Sequence, residues 1–289
     1  MTMDDLILNI GGDKKDNYLY LSPELKEFEV ESYEDVVEKL KNKNDFKRAV
    51  FSGGEPLENQ KILELIEKAG ESGLEVCVET SCIKFADREF AEKAVENGLD
   101  IVRTELHGLE EVHDEIVDGE VFEKVFEGIK NIIELGVDVS VSTIFHVRNK
   151  ENLSELGDRL VELGINEWEF VGLVPEEFGK ERYSEIAVPY EEIFEFLDSN
   201  VELLQKFQLV KIVNFPYCIN VQAELGNIMQ IQYFEIAEDL GIDIEVEPVK
   251  IDVCSICEYT NDCKGFMESR LNIHGEESVK NLWNMRNNV

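Results

Sequence analysis

The sequence predicts an α/β fold: a partial (β/α)6 TIM-type barrel with a small C-terminal cysteine-rich extension. Three observations point there. Short apolar runs alternate with segments of helical spacing from Arg48 to Leu173. Gly73, Gly98, Gly136 and Gly164 each stand just past a helical segment and just before the next strand, where a left-handed residue best closes a helix. Past Pro175 this regularity stops, which marks off the extension.

In order, Asp5 to Ile10 reads as the first strand, followed by a polar loop from Gly11 to Asn17 and a short apolar piece, Tyr18 to Leu21. Tyr33 to Lys41 places Val36, Val37 and Leu40 on one helical face. Strand Arg48 to Ser52 then precedes helix Asn59 to Ser72, and strand Glu75 to Glu79 precedes helix Arg88 to Asn97. Strand Asp100 to Glu105 leads through a loop to helix Glu120 to Leu135. Strand Asp138 to Ile144 precedes helix Lys150 to Leu163, and strand Glu167 to Leu173 closes the series. Right-handed crossovers put the helices on one face of six parallel strands. Ligand chemistry then belongs at the C-terminal strand ends. Beyond the barrel, Pro189 to Phe207 and Ile228 to Leu240 read as helices, and Leu209 to Asn214 and Ile242 to Val246 as strands. The expected division is residues 1–184 for the barrel and 185–289 for the extension.

The chain has 289 residues, 43% of them hydrophobic, enough for a sizeable core. Its 63 acidic against 28 basic residues give a net charge of −35. That balance argues against nucleic acid and anionic membrane as partners, because both need basic patches. The acids are dispersed along the chain, which suits a salt-rich cytoplasm better than a single basic partner. Met1 to Asp5 has neither a positive nor an apolar leader segment. No apolar run approaches the roughly 20 residues of a membrane helix. A cytoplasmic protein is expected, and its six cysteines then read as metal ligands or core thiols rather than disulfides.

Two stretches have the composition of sites. Ser52-Gly53-Gly54-Glu55-Pro56 lies between a strand and a helix. Paired glycines allow positive φ and let the backbone approach a ligand closely, so this turn is the candidate cofactor-binding segment. A plain reading stays beside it: a tight turn whose carboxylate favours the following helix N-terminus. The second set is Cys218, Cys254, Cys257 and Cys263. The two-residue gap between Cys254 and Cys257 lets both thiolates reach one centre, and four thiolates suit zinc or an iron–sulfur cluster alike. Cys77 reads as a core thiol, while Cys82, just past a strand end, is open to a functional role. His107, His113, His146 and His274 show no metal-ligand spacing and read as structural or solvated. Glu55, Glu79 and Glu105 fall near strand ends, as does His107. The carboxylates read as a solvated rim rather than acid–base machinery, and no residue is assigned as catalytic.

Together these pieces resemble the radical S-adenosylmethionine (radical SAM) superfamily. Ser52 to Pro56 is similar to its glycine-rich motif, which implies contact with the amino group of the methionine moiety. Val102 to Gly108, Val112 to Ile116 and Phe122 to Val125 are similar to the family's fourth strand and following loop, as are Asn149, and Pro175 with Gly179, after the next two strands. Cys218, Cys254, Cys257 and Cys263, followed by Lys264-Gly265, resemble the auxiliary-cluster region of the SPASM and Twitch branches, which implies a [4Fe–4S] cluster, with zinc as the alternative. One departure is large. The family holds its SAM-cleaving cluster on C-x3-C-x2-C after the first strand, and here no cysteine precedes Cys77. Gly12, Asp16 and Leu19 stand at the three positions, flanked by Asp13 and Tyr20. Glycine and leucine side chains cannot ligate iron. Two smaller departures are Ser81-Cys82 in place of the usual Asn-Gly, and Glu105 in place of a serine. The resemblance thus implies a degenerate member: SAM binding possible, radical initiation lost, and whether it is an enzyme left open. Its partners would be a peptide or protein substrate or an active radical SAM protein. Two alternatives stand beside it: an active radical SAM enzyme with atypical ligation, and a zinc-stabilised barrel with other chemistry.

Overall fold

The computed structural model describes residues 4–11, 30–43, 45–173, 180–219, 226–231 and 248–287. Gly12, Asp13, Asp16, Leu19 and Tyr20, the Tyr18–Leu21 piece, Pro175, Gly179 and the Ile242–Val246 strand lie outside them. Two compact units are present: Met1–Ser142 with Glu162–Ile165, and Thr143–Val161 with Asn166–Val289.

In the first unit β1 (Asp5–Asn9), β2 (Arg48–Ser52), β3 (Glu75–Glu79), β4 (Ile101–Glu105) and β5 (Asp138–Ile144) pair in parallel, in chain order. The helices between them are α1 (Tyr33–Lys41), α2 (Ile62–Glu71), α3 (Arg88–Glu96), α4 (Glu110–Val117) and α5 (Phe122–Glu134). Their ends are chemically marked. The Ser32 hydroxyl accepts from the Asp35 N–H at the start of α1, and Asp87 caps α3 in the same way through Glu89 and Phe90. Such caps satisfy N–H groups that the first helical turn leaves unpaired. Gly73, Gly98, Gly136 and Gly164 all have φ between 75 and 100°, the left-handed closure the sequence predicts. The loop expected after β4 contains α4.

The second unit holds α6 (Leu153–Leu163), β6 (Glu167–Val171), α7 (Lys180–Ile186), α8 (Tyr190–Ser199), α9 (Val201–Leu204), β7 (Leu209–Val213) and β8 (Ile228–Ile231). β6, β7 and β8 also pair in parallel. Beyond them, β9 (Pro248–Val249) and β10 (Phe266–Met267) form a short antiparallel pair, and α10 (Glu268–Asn287) follows, broken at Gly275 with φ 78°. Aromatic rings fill this unit's core. Trp168, Phe170 and Phe145 are buried, Phe145 stacks on Phe170 at 5.1 Å, and the Trp168 indole N–H donates to Thr143.

Sheet order follows chain order from β1 to β8, an α/β fold of partial-barrel type. Three sequence expectations need correction. Among the described residues the sheet has eight strands rather than six, because β7 and β8 arise from residues expected in the extension. Ile228 to Leu240 is not one helix: Ile228–Ile231 is β8, registered on β7 from Val210↔Ile228 to Val213↔Ile231. A short apolar run reads equally well with either period, and the free edge of β7 decides it. Pro189 to Phe207 is divided at Asn200, whose side-chain amide turns back to the Phe196 carbonyl and ends α8.

Candidate functional sites

The glycine turn closes β2. Gly53 and Gly54 have φ of 82 and 54°, conformations that cost a side chain-bearing residue dearly. The chain leaving β1 lies directly on them. A Cβ on Gly11 would come within 1.6 Å of the Gly53 carbonyl oxygen, so backbone packs on backbone here. The Ile10 N–H donates to the Ser52 carbonyl at 3.0 Å. Among the described residues the N–H groups of the buried Gly53 and Gly54 make no hydrogen bond, so they are available to an acceptor.

Glu55 is differently placed. One carboxylate oxygen accepts from the Leu57 N–H at 3.1 Å and the Thr80 hydroxyl at 2.5 Å. The other accepts from the Ser81 N–H at 2.9 Å and the Ser81 hydroxyl at 2.5 Å. Four donors occupy an ionised carboxylate about fully. Glu55 therefore caps the short turn Pro56–Glu58 and ties the end of β2 to the end of β3. What the turn offers a ligand is backbone. Ser52 is also engaged: its hydroxyl donates to Glu79 at 2.6 Å, and the other Glu79 oxygen accepts from Arg103 at 3.2 Å. A second guanidinium nitrogen of Arg103 reaches the buried Asp5 at 3.4 Å. So the strand-end carboxylates Glu55 and Glu79 are not the solvated rim expected of them.

His107, His113 and His146 and the two lone cysteines are core groups. His107 and His113 are buried, and His113 Nδ1 accepts from the His107 N–H at 3.2 Å. His146 Nδ1 accepts from the Arg148 N–H at 3.1 Å. Burial lowers the pKa of each of His113 and His146 to about 4. Cys82 is fully buried with φ 64°, and burial raises its thiol to about 12. A thiol so raised is not a nucleophile at neutral pH, which removes the role left open for it. Cys77 is a core thiol as expected.

In the second unit the fold gathers the four spaced cysteines. The pair β9–β10 closes a loop whose tip carries Cys254, Cys257 and Cys263. Its turns are tight: the Cys257 N–H donates to the Cys254 carbonyl, the Thr260 N–H to Cys257, and the Cys263 N–H to Tyr259. Gly265, φ 114°, closes the loop where a Cβ would lie 2.5 Å from the Val249 carbonyl oxygen. Cys218 sits on the short turn Tyr217–Ile219 beyond β7, and the Cys218 carbonyl accepts from Arg286 at 3.3 Å. All four cysteines, with Phe266 and Trp283, line one pocket that is partly open to solvent. Burial raises the Cys218 thiol well above its usual range, and negative charge on Cys263, Cys257 and Cys254 raises it further. Burial also raises the Cys254 and Cys263 thiols, and a cationic metal centre would relieve such a donor set. Among the described residues, no three Cys, His, Asp or Glu side chains are drawn together closely enough for one metal ion.

The radical SAM superfamily profile matches residues 16–160, half of the chain. The chain belongs to this superfamily, which implies a [4Fe–4S] cluster and SAM binding. A probable GTP 3',8-cyclase of Saccharolobus islandicus (strain Y.N.15.51 / Yellowstone #2) is 27% identical over 182 residues, covering 61% of this chain and 55% of that protein. The Fe-coproporphyrin III synthase of Methanosarcina barkeri is 31% identical over 115 residues, covering 39% and 28%. Thus the chain spans about half or less of the length of these curated relatives. Among solved structures, anSMEcpe with bound AdoMet and Cp18Cys peptide aligns at a TM-score of 0.61 with 14% identity, over 99% of both chains. Streptococcus suis SuiB bound to precursor peptide SuiA aligns at 0.58 with 13% identity, over 70% of this chain and 46% of that one. At such identities the likeness is one of fold. No helix among the described residues is long and apolar enough to cross a membrane.

Proposed function

We propose that this chain is a radical SAM-superfamily protein that keeps the glycine turn and holds a [4Fe–4S] cluster on Cys218, Cys254, Cys257 and Cys263, but does not cleave SAM. The observation that carries the reading is the unequal placing of cysteine. Four line one cavity, while none precedes Cys77. The superfamily's SAM-cleaving cluster, which supplies the electron for homolysis when bound, would have no thiolate ligands in the loop after β1. The four-cysteine set suits a cluster or zinc on its chemistry alone, and the resemblance to the auxiliary-cluster region favours the cluster.

The protein's own residues then have these roles. The backbone of Gly53 and Gly54 binds SAM or a related molecule, its carbonyls accepting from the methionine amino group and its N–H groups open to an acceptor. Glu55, with Ser52 and Pro56, holds the turn in shape. The strands β1 to β8 form the SAM-type barrel, and the cluster-bearing extension falls within residues 185–289 outside β7 and β8. The function is binding or accessory work in peptide or protein modification, with a peptide or an active superfamily member as partner, in a cytoplasmic setting. Likeness of fold to SuiB with SuiA and to anSMEcpe with Cp18Cys supports the peptide.

Anaerobic reconstitution tests this. About four irons per chain, no zinc, and no 5′-deoxyadenosine with dithionite are expected. Iron for a second cluster, or any deoxyadenosine, would favour an active enzyme with atypical ligation. Zinc alone would favour a zinc-stabilised barrel.

A further inference from the structure

Arg270, in the first turn of α10, is 2% exposed, yet among the described residues no carboxylate pairs with it. Its guanidinium lies against three rings, Tyr190 at 4.5 Å, Phe215 at 4.9 Å and Tyr183 at 5.8 Å. Rings compensate the charge through its faces. They do not serve its five in-plane N–H donors. Of these, one reaches the Asn214 carbonyl at a long 3.4 Å, and the buried Nε has no partner.

Three more orphaned polar atoms lie on residues around the same rings. The Asn214 amide nitrogen donates to the Gly172 carbonyl at 3.2 Å, which fixes the amide's orientation and leaves Oδ1 buried without a partner. The Gln230 amide nitrogen donates to the Phe215 and Pro216 carbonyls, which leaves its Oε1 likewise unmet. The His274 ring packs on Tyr183 and Tyr190, and its Nε2 is also unmet. A group of buried unsatisfied polar atoms requires a physical reason, and a ligand is one.

Their address supports a ligand. Gly172 follows β6, Asn214 follows β7 and Gln230 is the next-to-last residue of β8, so the group stands at C-terminal strand ends, where barrels of this kind bind ligands. The backbone is also set for it. Asn214 has φ 66°, an uncommon conformation outside glycine, and a Cβ on Gly172 would crowd Phe215 and the Asn214 carbonyl at 2.8 and 2.9 Å.

We propose that Arg270 anchors a site for a small ligand bearing an oxyanion, a carboxylate or a phosphate, with Asn214 and Gln230 accepting from N–H or O–H groups on that ligand. The oxyanion takes the in-plane guanidinium donors, and His274 can supply one more. The proposal needs neither the cluster nor SAM.

The test titrates the full chain, handled anaerobically at constant ionic strength, with sodium acetate and separately with inorganic phosphate. Heat and thermal midpoint are the readouts. Saturable binding of at least one anion is expected, weakened at least about tenfold in Arg270→Met, since charge-assisted hydrogen bonds are lost. Acetate alone identifies a carboxylate, phosphate alone a phosphate, and both an oxyanion site indifferent to the two. Arg270→Lys keeps the charge but not the planar donors, so partial loss is expected there, and it serves if the methionine variant does not fold. Absence of saturable binding by the wild type, or binding undiminished in both variants, overturns the proposal.

Discussion

The glycine turn of the first unit and the strand ends of the second treat their polar groups in opposite ways. Glu55 has four donors on two oxygens, and Ser52, Glu79, Arg103 and Asp5 form a continuous chain of partners. In the second unit, Asn214 and Gln230 at strand ends and Arg270 and His274 on α10 each keep a buried atom unmet, and four thiols line one pocket. A satisfied network holds geometry and gains little from a ligand. An unsatisfied one carries a standing desolvation cost that a ligand or metal removes. On this reading Glu55 positions the turn, and the second unit is where bound groups change the energy most.

The largest expected effect is on the thiols. Replacing Cys254 and Cys257 together by serine should abolish reconstituted iron, measured by iron and sulfide analysis. Retention of the full iron content would move the cluster elsewhere and reverse the contrast. Next is Gly11→Ala, whose Cβ would penetrate the Gly53 carbonyl. A loss of about 3 kcal/mol in urea unfolding is expected, the upper end for overpacking. Glu55→Gln should cost about 2 kcal/mol, because an amide nitrogen would face donors where an oxygen now accepts. If Glu55→Gln were neutral in stability yet weakened SAM binding, Glu55 would be a ligand contact after all.

A further effect is graded with pH and accumulates across the acid range. His113 and His146 have folded pKa values of about 4 against an ordinary 6.5. The unfolded chain therefore binds more protons between pH 6.5 and 4. Stability is complete above that window, falls as pH drops through it by up to about 1.4 kcal/mol per pH unit for each histidine, and levels off below. Both Nδ1 atoms accept hydrogen bonds, so protonation there also breaks a contact. His113→Asn should flatten the slope of urea-unfolding stability against pH. An unchanged slope would show that other groups drive the acid loss.

Much was legible in the sequence. Periodicity and the four closing glycines placed the strands and helices from Arg48 to Val171 to within a few residues, α4 excepted, because backbone conformation there is decided locally by spacing and by φ. Cysteine spacing marked the second site, and the glycine pair marked the first. Other features depended on contacts far apart in sequence. Ile228–Ile231 became a strand because β7 offered an edge. Glu55 proved a clamp because Thr80 and Ser81, on the next strand's end, reach it. Cys82 lost its promise through burial, which no motif records. Arg270 carried no signal at all: an arginine early in a helix reads as surface, and only tertiary packing encloses it among three aromatic rings, short of hydrogen-bond partners. Local pattern determined which elements form and which residues could bind. Which polar groups are met and which are left waiting was decided by the tertiary structure, because satisfaction of a buried donor depends on neighbours that the chain brings in from elsewhere.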